Sequence, residues 1–109
     1  REMTLHPADW LARLPGAGGA RYVRALRHGS MELELYAPRG ADAQEPHARD
    51  ELYFVVSGQG RFDLDGVITL FSAGDALFVP AFTPHRFIDF SDDFATWVVF
   101  YGPVGGEKP

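Results

Sequence analysis

The stretch ELYFVVSGQGRFDLDGVITLF, residues 51–71, decides the fold of this chain. It holds three short apolar runs, ELYFVV, RFDL and VITLF, which are separated by SGQG and DG. Glycine-containing turns between short β-prone runs indicate strands, and Asp-Gly is a strong hairpin signal. We therefore predict successive antiparallel strands over these residues.

The same texture continues on both sides of this stretch. Short runs with strand-like patterns recur at SMELELYAP (30–38), ALFVP (76–80), TPHRFIDF (83–90) and FATWVVFYG (94–102). Short strands punctuated by turns, with almost no helix, predict an all-β sandwich or barrel. The exception is HPADWLARLP (6–15), where proline in the first turn and Pro15 at the end predict a short helix.

Length and turn signals together suggest how the chain is divided. Its 109 residues suit one domain. We expect an N-terminal segment with the short helix at 1–29, a β-barrel at 30–102 and a flexible tail at 103–109.

Charge and composition exclude several classes of function. The formal net charge is −5, and no stretch is densely basic, so we expect no nucleic-acid partner. The nearest candidate is RYVRALRHG (21–29), whose three arginines suit one face of a helix but are expected to be solvated. No apolar run is long enough to span a bilayer, so we expect no membrane partner. The chain has no cysteine, which excludes thiolate metal sites and suits a cytoplasmic location.

A histidine and two carboxylates directly precede the most apolar run. Glu45, His47 and Glu51 share strand parity with Tyr53, so an extended chain would turn all four toward the interior. Burying such groups is costly unless a partner offsets the cost. Either they remain in solvent, or His47 and Glu51 form an ordinary partly buried hydrogen-bonded pair, or they share a cation.

A third candidate ligand comes from a distant segment. Pro80 ends one strand, and Pro84 fixes an extended approach to His85. Together with His47 and Glu51, this residue would offer two imidazoles and one carboxylate. That donor set suits a divalent first-row metal with open positions.

Two motifs resemble those of the cupin family, over about Ser30 to Tyr101. The first cupin motif runs G, five residues, H-x-H, three or four residues, E, six residues, G, and its second histidine, glutamate and final glycine match His47, Glu51 and Gly58. The second motif runs G, five residues, P-x-G, two residues, H, three residues, N. Its first glycine, proline and histidine match Gly74, Pro80 and His85.

The chain also departs from the cupin pattern at several positions. Glu45 stands at the first histidine, Phe82 at the glycine before the last histidine, and Asp89 at the asparagine, while Gly40 best matches the leading glycine. A carboxylate in place of a histidine makes the site harder, which favours iron, manganese or zinc over copper.

The resemblance implies the site and its surroundings. It implies an antiparallel jelly-roll barrel with His47, Glu51 and His85 as metal ligands. Glu45 is the candidate fourth ligand and also the candidate catalytic carboxylate. Tyr53, Phe87 and Asp89 are expected to line the pocket, with Asp89 supporting a ligand or marking a strand end.

The resemblance also implies two possible functions. The first is a metal-dependent enzyme, dioxygenase-like or isomerase-like, that acts on a small organic molecule. The alternative is a non-catalytic module that binds or senses a small molecule. Strands that are apolar on both faces, ELYFVV and FATWVVFY, further suggest a homodimer.

Overall fold

The computed structural model describes residues 3–109, so Arg1 and Glu2 of the expected N-terminal segment lie outside the described residues. Within this range, no helix is long and apolar enough to cross a membrane. The elements are α1 (Pro7–Leu11), a short 3-10 turn (Ala17–Gly19), β1 (Tyr22–His28), β2 (Met31–Tyr36), β3 (Asp50–Ser57), β4 (Gln59–Leu64), β5 (Val67–Ser72), β6 (Ala76–Val79), β7 (His85–Ile88) and β8 (Ala95–Tyr101).

The strands form two antiparallel sheets that enclose an apolar core. One sheet has five strands in the order β1-β2-β8-β3-β6, and the other has three in the order β5-β4-β7. The side chains between the sheets are mostly aromatic or β-branched, namely Tyr53, Val55, Phe62, Phe71, Val79, Phe87, Phe94 and Val98. The predicted all-β jelly-roll class and the short N-terminal helix are confirmed.

The segment 1–29 does not end before the sheets begin. Residues 22–28 form β1, which pairs along β2 at the edge of the five-stranded sheet. The helical interpretation of the three arginines is therefore wrong. Arg24 and Arg27 instead stand beside Glu32 of β2, with closest nitrogen–oxygen distances of 3.3 and 3.8 Å. Pairing with β1 satisfies backbone groups of β2 that would otherwise form an open edge.

The C-terminal tail, which we expected to be flexible over 103–109, is attached to the body. The backbone N–H of Gly105 donates to the carbonyl of Ala48 at 2.7 Å. The N–H of Glu107 donates to a carboxylate oxygen of Asp50, also at 2.7 Å. The other oxygen of this buried carboxylate accepts from the N–H of Ala81. These bonds draw the tail toward the start of β3.

Strand β2 presents its apolar side outward and its polar side to the interior. Helix α1 packs on β2, and Leu35 is fully buried although it lies on the outer side. The opposite parity, with Glu34 and Tyr36, faces a cavity that strands of the five-stranded sheet and the loop after β2 line together. Alternation alone indicates that one side of a strand is buried, but the covering helix decides which one.

Gly58, in the turn between β3 and β4, packs closely against the loop before β8, and it yields a first prediction. Its φ is +84°, and an added Cβ would stand 2.6 Å from Cα of Phe94 and 2.7 Å from Oγ of Ser91. We expect Gly58→Ala to lower the free energy of unfolding by about 1–3 kcal/mol, because the contact with the Phe94 backbone cannot yield without moving the main chain. Urea denaturation measures this loss. Gly66→Ala is the control, since Gly66 also has positive φ but nothing within 4 Å of an added Cβ, and equal losses would contradict the steric explanation.

Candidate metal centre

Three separate segments bring potential metal ligands together. Glu51 lies near the start of β3, His85 begins β7 on the opposite sheet, and His47 lies in the irregular segment before β3. One ligand atom from each lies within 4.8 Å of the others. The two imidazole centroids are 5.4 Å apart. The set joins both sheets at one end of the core.

The polar atoms of this cluster are buried without hydrogen-bond partners among the described residues. Glu51 is fully buried, and neither of its carboxylate oxygens has a partner; the same holds for Nε2 of His85. Nε2 of His85 stands 3.1 Å from Oε1 of Glu51, but without hydrogen-bond geometry. Nε2 of His47 stands 3.8 Å from Oε2. Buried charge of this kind is costly, and a divalent cation would offset the cost. The donor set therefore fits a metal ion.

The surroundings also prepare the two imidazoles for different roles. Burial lowers the pKa of His47, which favours the neutral ring that binds metals. Burial would lower the pKa of His85 too, but the Glu51 carboxylate and the Thr83 carbonyl outweigh it and raise that pKa. Nδ1 of His85 is 2.9 Å from the Thr83 carbonyl, so an N–H there leaves Nε2 facing the carboxylate.

A single backbone hydrogen bond ties the segment that carries His47 to the turn before His85. The N–H of Phe82 donates to the carbonyl of His47 at 2.6 Å. Phe82 has a φ of +64°, the left-handed conformation that glycine adopts most easily. The residue that replaces the motif glycine thus keeps the conformation of the turn.

Glu45 is the predicted site residue that the structure does not bring to this cluster. Parity placed it beside His47 and Glu51, but residues 43–47 are irregular and Ala48–Arg49 is a bend, so β3 begins only at Asp50. The parity argument required an extended chain through this segment, and that expectation is wrong. Glu45 is exposed and lies outside the cluster of potential ligands.

The three residues expected to line the pocket also occupy other places. Tyr53 and Phe87 are fully buried in the core, with ring centroids 4.9 Å apart, because inward-pointing aromatic rings fill the layer between the sheets. Asp89 follows β7 in a left-handed conformation, where it is exposed and pairs with Arg61. It therefore gives no support to the ligands and lies at the strand end.

A cavity of about 570 Å³ opens beside the cluster. His47 and Glu51 form part of its wall, and the polar side of β2 forms another part. The remaining lining includes Arg21, Tyr22, Glu34, Tyr36, Gln44, Val98 and Phe100. Sequence reasoning missed the contribution of β1 and β2, although the polar parity of MELELY was a usable signal.

Sequence reasoning also missed Asp42, which organises the loop beside the cluster. Its carboxylate is 3% exposed and accepts hydrogen bonds from four groups, the Tyr36 hydroxyl, the backbone and side chain of Gln44, and the N–H of Phe87. Nothing in ADAQEP distinguishes this aspartate from a solvated loop residue. Only the fold places it under the cavity.

The comparison with known families agrees with this geometry. The profile of the cupin domain family matches residues 32–101. The chain is a cupin. The predicted family membership is therefore confirmed, and the matched segment contains all three residues of the candidate metal centre.

The relatives of this cupin differ in sequence identity and in the share of each chain that the match covers. An uncharacterised protein of Streptomyces coelicolor is 38% identical over 97 residues, which cover 87% of this chain and 92% of the relative. An acireductone dioxygenase of Parasynechococcus marenigrum is 39% identical over 85 residues, which cover 73% of this chain but only 46% of the dioxygenase. A cupin 2 conserved barrel domain protein of Salinispora arenicola has a TM-score of 0.71 at 22% identity, covering 94% of this chain and 91% of that one. The last of these supports the fold alone.

The cavity tyrosine gives a prediction for alkaline pH. Burial raises the pKa of Tyr36 above the ordinary value of about 10, and its hydrogen bond to Asp42 raises it further. Above about pH 10 the unfolded chain loses a proton that the folded cupin keeps, so the free energy of unfolding falls as pH rises. In urea denaturation at a series of pH values, we expect a contribution that is constant up to about pH 9 and falls from there to about pH 11. Tyr36→Phe should make the fall shallower, and an unchanged slope would contradict the assignment.

Proposed function

We propose that this cupin binds a divalent first-row metal ion through His47, Glu51 and His85 and is a metal-dependent enzyme acting on a small organic molecule. The observation that carries the proposal is the buried carboxylate of Glu51, whose oxygens and the facing Nε2 of His85 lack hydrogen-bond partners among the described residues. A fold that hid these groups for stability alone would pair them. A cation that takes all three residues as ligands supplies the missing partner.

Iron, manganese and zinc are the ions that suit two imidazoles and one carboxylate with positions left open. Such an ion, when bound, supplies Lewis acidity toward an oxygen-bearing substrate and, in the case of iron, chemistry with dioxygen. The half-exposed ring of His47 marks the side of the site that is open to the cavity, since its side chain is 34% exposed while those of Glu51 and His85 are fully buried.

The cavity wall supplies the groups that would hold and orient the substrate. Arg21 is fixed by its Nε–H, which donates to the Ala37 carbonyl at 2.8 Å, and it can present positive charge to an anionic substrate. Burial raises the pKa of Glu34, and the carboxylates of Glu32 and Glu51 raise it further. A carboxyl group that lines the cavity can donate a proton to a substrate beside it or accept one from it. Glu34 is therefore our candidate for proton transfer, in place of the exposed Glu45.

The proposed class of reaction rests on a relative of known name and on the groups in the cavity. The dioxygenase relative is 39% identical over 85 residues, which favours a dioxygenase-like activity. Because this chain spans only 46% of that relative, the substrate of the relative is not transferred to this cupin. An isomerase-like reaction would need the same metal site and a proton-transfer group, which Glu34 offers.

Reconstitution tests the proposal. Protein purified without immobilised nickel should be stripped with chelator and reloaded separately with iron(II), manganese(II) or zinc(II). Oxygen uptake is then followed with a panel of catechols, thiols and keto acids, and proton NMR detects rearranged products under anaerobic conditions. Metal-dependent turnover that falls in Glu34→Gln and persists in the exposed-site control Asp92→Asn supports the enzyme. Ligand-induced spectral shifts without turnover would instead support the alternative, a binding or sensing cupin.

We also propose that the cupin forms a homodimer through the outer side of the five-stranded sheet. Phe54 and Phe78 are 44% and 48% exposed there, and Trp97 pairs beside Phe54 on β8. Adjacent exposed aromatic residues on one sheet favour association. Light scattering after size exclusion should give twice 12.1 kDa for the wild type and a monomer for Phe54→Glu. A monomeric wild type would contradict the proposal.

A cytoplasmic location is the corresponding proposal for the compartment. Its support is the absence of cysteine from the 109 residues. Proteins of oxidising compartments are often stabilised by disulfides, and this chain can form none. Fractionation of cells that express the full-length gene from its own locus tests the location, and recovery outside the cytoplasmic fraction would contradict it.

A further inference from the structure

The side-chain amide of Gln44 stands beside the candidate ligands. Its Oε1 is 3.4 Å from Nε2 of His47, the nitrogen that also faces Glu51. The same oxygen accepts a hydrogen bond from the Tyr53 hydroxyl at 3.0 Å. Gln44 lines the cavity together with His47 and Glu51. An uncharged oxygen donor thus lies 3.4 Å from the ring nitrogen of one potential ligand, on the wall of the cavity that the cluster adjoins.

The orientation of this amide is set by the buried carboxylate of Asp42. Nε2 of Gln44 donates to Oδ2 of Asp42 at 2.9 Å, and the backbone N–H of Gln44 donates to Oδ1 at 3.1 Å. Asp42 is itself held by the N–H of Phe87 at 2.9 Å. Rotating the amide by half a turn would set its oxygen against the carboxylate, so the network assigns the nitrogen to Asp42 and the oxygen to the cluster.

The spacing of these atoms suits a common ion. Ligands about 2.1 Å from one ion, at tetrahedral or octahedral angles, lie about 3.0–3.4 Å from each other. The separation between His85 and Glu51 is 3.1 Å, and that between Gln44 and His47 is 3.4 Å. The separation between His47 and Glu51, 3.8 Å, exceeds this range only slightly.

We propose that Gln44 provides the fourth protein ligand of the metal through Oε1, and that Glu45 does not. The inference rests on the proposed metal-binding function. It places the ligand one residue before the motif position that Glu45 occupies, because the irregular segment 43–47 turns Glu45 to solvent and Gln44 to the cavity.

This assignment changes the charge of the site. Two neutral imidazoles, one carboxylate and one amide would leave a divalent site with a net charge of +1, whereas a second carboxylate would neutralise it. A cationic centre keeps a stronger attraction for an anionic oxygen of a substrate. A neutral oxygen ligand also favours manganese or iron over copper. The substrate class that follows is a small organic anion with an oxygen donor.

Metal titration of three glutamine or glutamate variants separates the candidates. Manganese(II) binding to chelator-stripped protein is measured by electron paramagnetic resonance of the free ion, with folding checked by circular dichroism. We expect Gln44→Leu to weaken binding by about 100-fold or more, because it removes a ligand and not only an outer partner of one. Glu45→Gln should leave the dissociation constant unchanged, as should the matched control Gln59→Leu at an exposed position of β4. Weakening by Glu45→Gln with an unchanged Gln44→Leu would overturn the proposal.

A direct readout distinguishes coordination from outer support of His47. A crystal structure of the manganese-loaded wild type should place Oε1 of Gln44 at about 2.2 Å from the ion. A separation beyond about 3.5 Å, with water at the fourth position, would overturn the proposal and make Gln44 a positioning residue. If the wild type binds neither manganese, iron nor zinc, the proposed function itself fails. If it binds them and Gln44→Leu binds equally well, only the assignment of Gln44 fails.

Discussion

His85→Ala is expected to weaken metal binding by more than about 100-fold while the cupin remains folded. His85 is 6% exposed, and its Nε2 faces Oε1 of Glu51 at 3.1 Å. No other described imidazole except His47 lies in the cluster, so nothing nearby can replace the lost donor. Changing an outer partner of a metal ligand already costs about 10- to 100-fold in affinity, and losing the ligand itself should cost more.

Metal content measured by mass spectrometry and titration of stripped protein with zinc(II) or manganese(II) test this expectation. His28→Ala is the matched control, because His28 ends β1 at an exposed position outside the cluster. His47→Ala is a second variant for the case in which the buried His85→Ala fails to fold, since His47 is half-exposed. Full metal content in either folded variant would remove the assignment of the site.

We expect the wild type and Glu51→Gln to exchange their order of stability when metal is added. The variant should be the more stable protein without metal, and the wild type should be the more stable one with it. Without metal, the variant should be more stable than the wild type by about 1–3 kcal/mol, because a neutral amide replaces a buried carboxylate that has no hydrogen-bond partner among the described residues. With metal at about 100 times the dissociation constant, the wild type should gain about 2.7 kcal/mol, and the variant should gain little. The curves of stability against metal concentration should therefore cross.

Urea denaturation over a range of manganese(II) concentrations gives these free energies directly. Glu34→Gln is a suitable comparison, because Glu34 shares the cavity but lies outside the candidate ligand set. It should keep the metal-dependent gain of the wild type. If metal-free Glu51→Gln is less stable than the wild type, Glu51 serves the fold and its burial is not a preparation for a cation.

Much of the candidate site could be predicted from local pattern. The spacing from His47 to Glu51 and on to Gly58, and the turn that leads to His85, are properties of short segments, and the structure keeps each of them. Glu45 fails for a related reason. Residues an even number apart point to the same side only where the chain is extended. The bend at Ala48–Arg49 ends the extended conformation between Glu45 and β3.

The residues missed by sequence reasoning depend on contacts between distant segments. Asp42 can be recognised as a structural residue only in the fold, where the backbone N–H of residue 87 in β7 donates to its carboxylate. Gln44 becomes a candidate ligand only through two hydrogen bonds of the fold. Its side-chain nitrogen donates to Asp42, and its side-chain oxygen accepts from the Tyr53 hydroxyl. These contacts span up to 45 residues of sequence, and no local spacing encodes them.

The sequence by itself determined that the chain is an all-β cupin and that His47, Glu51 and His85, with Glu45 as a possible fourth, are candidates for a metal site. Strand alternation, turn residues and motif spacing are properties of short segments, so they can be identified from the sequence without knowledge of the fold. The tertiary structure decided which side of β2 faces the cavity and which loop side chain turns toward the cluster. Those choices follow from what covers each surface, namely helix α1 on the outer side and the buried Asp42 carboxylate beneath the loop. Burial is a property of the assembled molecule, and only the fold shows that the Glu51 carboxylate has no hydrogen-bond partner among residues 3–109.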